Sequence, residues 1–154
     1  MAKEKAYEET CVQLVLIKEG TFHGNGSSVN ISYPLMMIGA GQNKTFLDGY
    51  SLCIGGTKEK GKEVVVQDMT SSRATDYGLQ ASNGLSFLCK DMTFTQCGED
   101  GVYAENTKGR LINCVITECR DSGICCYENA LIEVEGQTKV DGNVTGGYSQ
   151  GLTS

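Results

Sequence analysis

The 154-residue chain has one proline (Pro34), one histidine (His23) and three arginines (Arg73, Arg110 and Arg120). No apolar run approaches the ~18 residues that a membrane-spanning helix requires. With so few arginines and a net charge of −6, the chain is unsuited to tracking nucleic-acid phosphates or an anionic membrane surface. Neither nucleic acid nor membrane is therefore expected as a partner. The first ten residues, MAKEKAYEET, are charged and lack the apolar centre of a signal peptide. No Cys-x-x-Cys occurs and the single histidine cannot complete a usual zinc site, so neither a metal nor another cofactor is expected.

Glycine and cysteine are what the chain has in quantity, with 20 and 8 residues. The glycines lack a three-residue period, which excludes collagen. Together with one proline they fit a turn-rich all-β chain of a single domain, long enough to bury a core.

A repeat organises residues 76–128. Gly78-Leu79-Gln80-Ala81, Gly101-Val102-Tyr103-Ala104 and Gly123-Ile124-Cys125-Cys126 are one tetrad written three times, with glycines 23 and then 22 residues apart. Ten residues before each glycine stands Asp68, Asp91 or Asn113, residues that tolerate a left-handed bend. The intervening β-rich runs are too short for helices and follow no 3.6-residue period. Units of this length cannot close a core alone and must stack. Stacking aligns Leu79, Val102 and Ile124 inward, with Ala81, Ala104 and Cys126 two residues on. Met69, Met92 and Cys114 form a further inward column. Gln80, Tyr103 and Cys125 then face outward.

These residues resemble the coils of a right-handed parallel β-helix of the pectin-lyase-like superfamily. Leu14–Phe22, Leu35–Gly41 and Thr45–Gly49 are similar to the opening coils of such proteins. The resemblance implies one β-helix domain over residues 1–154: an N-terminal capping helix at 1–11, irregular first coils at 12–63 with a polar loop at 55–63, and regular coils at 64–148. It implies little about activity, because the superfamily includes lyases, hydrolases, phage tailspikes and binding domains. An uncovered last coil near Gly147-Tyr148 would expose strand edges and apolar interior. Association through the coil end, or continuation within a longer parent protein, is the corresponding expectation.

Cys97 and Cys119 hold equivalent places in successive repeats and are expected to stack inward as small apolar residues. Reduced core thiols and a cytoplasmic location follow, with disulfides as the alternative. Gly39-Ala40-Gly41 opens a Gly-x-Gly, but a turn and strand follow it where a phosphate cradle needs a helix. It reads as a coil corner.

Two residues before each repeat glycine lies Asp76, Glu99 or Asp121, a column of carboxylates. Such a column could hold Ca²⁺; the sequence favours a solvated acidic ridge, partly offset by Arg120 and Lys108. The neighbouring outward strand face offers Gln80, Tyr103 and Cys125 and no basic residue of the kind a lyase needs. No cluster of three aspartates beside a histidine is evident either. A strip of Thr70, Thr93 and Val115, with Ser72, Thr95 and Thr117 two residues on, is too short and broken for ice binding. β-Propensity accounts for it. The expected function is a non-catalytic module presenting a rigid surface to a protein or saccharide, with Asp76, Glu99, Asp121, Gln80 and Tyr103 as binding residues. A carbohydrate-active enzyme of lyase or glycoside hydrolase type is the alternative.

Overall fold

The computed structural model describes residues 13–150, which wind into six three-faced coils carrying sixteen strands. The first coil holds β1 (Gln13–Leu16), β2 (Gly20–His23) and β3 (Ser28–Ile31), and the second β4 (Leu35–Ile38), β5 (Thr45–Asp48) and β6 (Ser51–Ile54). In the third, β7 (Glu63–Ser72) runs across two faces before β8 (Leu79–Ser82), and in the fourth β9 (Ser86–Thr95) does the same before β10 (Val102–Glu105). β11 (Lys108–Ile112), β12 (Val115–Thr117) and β13 (Ser122–Tyr127) form the fifth coil. β14 (Leu131–Glu135), β15 (Lys139–Asp141) and β16 (Gly146–Gln150) form the last. All pairings are parallel and join each strand to its equivalent one coil away. The capping helix expected for residues 1–11 lies outside the described residues. Among the described residues there is no helix, and hence none long and apolar enough to cross a membrane.

In-register stacking puts like residues against like. On the third face, Leu52, Leu79, Val102 and Ile124 form one inward column. On the first face, Met37, Val66, Cys89 and Leu111 form another. Both columns are buried, and each large aliphatic side chain so buried contributes roughly 1.5–3 kcal/mol. Met69, Met92 and Cys114 are fully buried at the corner between the first two faces. Among the described residues no strand stacks on the outer side of the last coil, and Val134 and Tyr148, which continue the inward columns there, are 40% and 63% exposed.

The repeat glycines are required by closeness rather than by an unusual φ. A Cβ on Gly78 would lie 2.7 Å from the Gly101 carbonyl oxygen, and one on Gly101 would lie 2.8 Å from that of Gly123. Each coil thus bends tightly against the next at this column. Asp68, Asp91 and Asn113 have φ of 60°, 51° and 53°, the left-handed bend that their residue types favour. Two more left-handed columns complete the three corners: Arg73, Gln96 and Glu118 at the second, and Asn83, Asn106 and Glu128 at the third. At the third corner, Asn106 Nδ2 donates to Asn83 Oδ1 at 3.0 Å.

The seven described cysteines are unbridged. Cys97 and Cys119 are fully buried, and their thiols donate to the carbonyl oxygens of Thr95 and Thr117. The neighbouring Cys119 thiol, reinforced by burial, pushes Cys97 well above the ordinary thiol range.

Candidate functional site

The corner leading into the third face gathers the expected binding residues. The Glu99 N–H donates to the Asp76 carbonyl (2.9 Å), and the Asp121 N–H donates to that of Glu99 (3.2 Å), so the three acids form the predicted exposed column. Among the described residues, no ion pair within 4.0 Å joins this column to Arg120 or Lys108. Any offset by these cations therefore acts without a direct ion pair. Nor are any three His, Cys, Asp or Glu side chains among the described residues grouped to ligate a metal.

Gln80 and Tyr103 lie one coil apart, in register on the outward side of β8 and β10. The Tyr77 ring stacks on Tyr103 with centroids 4.7 Å apart and planes inclined by 25°. The Tyr103 hydroxyl donates to Glu105 Oε2 at 3.3 Å. Burial and the Glu105 carboxylate push the Tyr103 phenol up to about 12, and burial with a hydrogen bond to the Glu99 carboxylate raises Tyr77 further. Both phenols are thereby neutral at neutral pH, and their rings pack on one another. An open groove of 310 Å³ continues along the same face, lined by Asn30, Ser32, Cys53, Gln80 and Ser82 among others.

Asp100, beside Glu99, behaves unlike the exposed column. It is 5% exposed, and its Oδ1 accepts the Ser122 N–H at 2.8 Å. Burial raises its carboxyl to about 6, with Asp121 and Glu99 adding like-charge repulsion.

A second cluster lies on the second face, where the sequence offered only the broken threonine strip. His23, Asp48 and Arg73 follow one another at intervals of 25 residues, one coil each. His23 Nδ1 is 3.0 Å from Asp48 Oδ2, Arg73 Nε donates to Asp48 Oδ1 at 2.7 Å, and Arg73 Nη2 donates to Oδ2. Ser72 Oγ donates to Oδ1 at 3.3 Å. The Arg73 hydrogen bonds hold the Asp48 carboxyl down at about 2, against the opposing effect of burial. The cluster ends a 390 Å³ groove lined also by Thr21, Phe46, Thr70 and Thr95. The 25-residue interval was its only signal in the sequence, and it differs from the 22–23-residue period of the later coils.

A family model for right-handed β-helix regions matches residues 7–148. The chain belongs to the right-handed β-helix family. No curated protein and no solved structure matches it. In this right-handed β-helix, functional groups are carried on the outside of the strands. The interior is closed by apolar columns, so ligands must be met on an outer face or at a coil end.

Proposed function

We propose that this right-handed β-helix is a non-catalytic binding module whose third face holds a saccharide. The observation that carries the reading is the Tyr77–Tyr103 stack, set one coil from the amide- and hydroxyl-lined groove of Asn30, Ser32 and Gln80. Rigid tyrosines supply contact area at little conformational cost, and the amide and hydroxyl groups match sugar hydroxyls. The exposed Asp76, Glu99 and Asp121 beside the stack disfavour anionic chains and favour a neutral one. A protein partner would meet the same face or the apolar end of the last coil, where Val134 and Tyr148 are exposed.

Affinity electrophoresis through soluble neutral glucans, pectate and alginate tests this reading. Retardation by a neutral glucan, reduced in Tyr103→Ala and Gln80→Ala, is expected. Absence of retardation by every polysaccharide, or retardation unchanged in both variants, overturns it.

One observation favours a second reading, a glycoside hydrolase: Asp100, with its carboxyl near 6, has the protonation a general acid needs. Its burial and its bond to the Ser122 N–H favour a structural role. Turnover of a neutral glucan that disappears in Asp100→Asn would establish the enzyme instead.

A further inference from the structure

We propose that His23 and Arg73 form a receptor for an oxyanion, a carboxylate or phosphate group, seated at the end of the threonine-lined groove on the second face. This site is independent of the saccharide reading, which concerns the third face.

Asp48 organises the receptor. It is 8% exposed, and its two oxygens meet His23 Nδ1, Arg73 Nε and Nη2, and Ser72 Oγ. With its lone pairs so engaged, Asp48 serves as the anchor that aims the imidazole and the guanidinium rather than as a ligand. The two groups it anchors remain open: the His23 and Arg73 side chains are each 65% exposed. Arginine has five N–H donors, so three are left after the two given to Asp48. With Nδ1 turned to Asp48, the outer imidazole nitrogen, Nε2, is the free one. In a protonated imidazole both ring nitrogens are donors, so Nε2 in that form can give a hydrogen bond to an oxyanion.

The electrostatics point the same way. The Arg73 guanidinium balances the Asp48 carboxylate, so the cluster carries no net negative charge on a chain of net charge −6. The other groove residues, Thr21, Phe46, Thr70, Ser72 and Thr95, are uncharged. His23 and Arg73 line an open cavity of 390 Å³, and the one carboxylate in its lining, Asp48, is already engaged by both. Fixed N–H donors of this kind suit the paired oxygens of a carboxylate or phosphate. A metal cation is disfavoured, because Arg73 occupies both oxygens of the carboxylate that would have to bind it.

The chain has one histidine, so the imidazole C2–H proton gives a single NMR signal reporting on the site. The protein is titrated at constant ionic strength, in separate arms, with methyl phosphate and sodium acetate, chloride being exchanged for each anion. A saturable shift with a Kd of about 1–10 mM is expected for at least one of them. Tighter binding of methyl phosphate assigns the site to phosphate esters, and tighter binding of acetate to carboxylates. Arg73→Lys keeps the charge opposite Asp48 and preserves the fold, but removes the planar fork, and should weaken binding about tenfold. Arg120→Gln, which alters an arginine outside the groove, should leave it unchanged. A non-saturating shift with both anions, or a saturable one that Arg73→Lys leaves intact, overturns the proposal.

Discussion

The ring of Phe87 fills the space where Gly109 would carry a side chain: a Cβ there would overlap ring atoms Cζ, Cε1 and Cε2. The two residues are in register on β9 and β11, and Phe87 is 1% exposed. One coil leaves out a side chain so that its neighbour can place an aromatic ring in the core.

Gly109→Ala should therefore overpack the interior and destabilise the protein by roughly 1–3 kcal/mol. Chemical denaturation measures this as a lower midpoint with an unchanged slope. A double variant, Phe87→Leu with Gly109→Ala, should be destabilised by less than the two single losses added together.

Asp100 should make stability depend on pH. Its native carboxyl titrates near 6, against an ordinary value of 3.8. Between these values the native state holds a proton that the unfolded state has lost, so stability falls as pH rises through the window and stays lower above it. Asp100→Asn retains an acceptor for the Ser122 N–H and removes the charge. It should stabilise the protein at pH 7 by about 1–2 kcal/mol and make little difference at pH 4. Equal effects at both pH values would contradict the assignment.

Asp48 has the opposite sign. Its native carboxyl lies near 2, below the ordinary 3.8, so its contribution is present above pH ~4 and lost as pH falls towards 2. Because Arg73 faces solvent, screening limits this to about 1 kcal/mol. Acid titration of thermal stability in wild type and Asp48→Asn should show the two curves converging below pH ~3.

Ser71 is fully buried in the inward column between Leu47 and Phe94, and its hydroxyl lacks a hydrogen-bond partner. Ser71→Ala removes that unsatisfied group and should raise stability by about 1 kcal/mol. A loss of stability in thermal unfolding would show that the hydroxyl is satisfied in solution.

Thiol reactivity should follow the coil geometry. Cys89, Cys97, Cys114 and Cys119 are fully buried, whereas Cys53 and Cys125 lie half-buried on the outward third face. Titration of the denatured chain should count all eight cysteines. In the native protein Cys53→Ser and Cys125→Ser should each reduce the fast-reacting fraction, while Cys97→Ser should not.

The path of the coil was legible because its period is imposed by contact between identical residues. Gly78, Gly101 and Gly123 recur since each must lie against its equivalent one coil away, and Asp68, Asp91 and Asn113 recur since their residue types tolerate the left-handed bend. The acidic column and the Gln80/Tyr103 face followed from that period alone. The second corner was hidden because Arg73, Gln96 and Glu118 do not advertise a turn; the paired strands on either side impose their backbone. Asp100 and Glu99 are adjacent acids in sequence, and only packing decides that one is buried against the Ser122 N–H while the other remains in solvent. His23, Asp48 and Arg73 meet because early coils of 25 residues bring them into neighbouring positions. Their contact is created by winding the chain, and no local residue pattern encodes it.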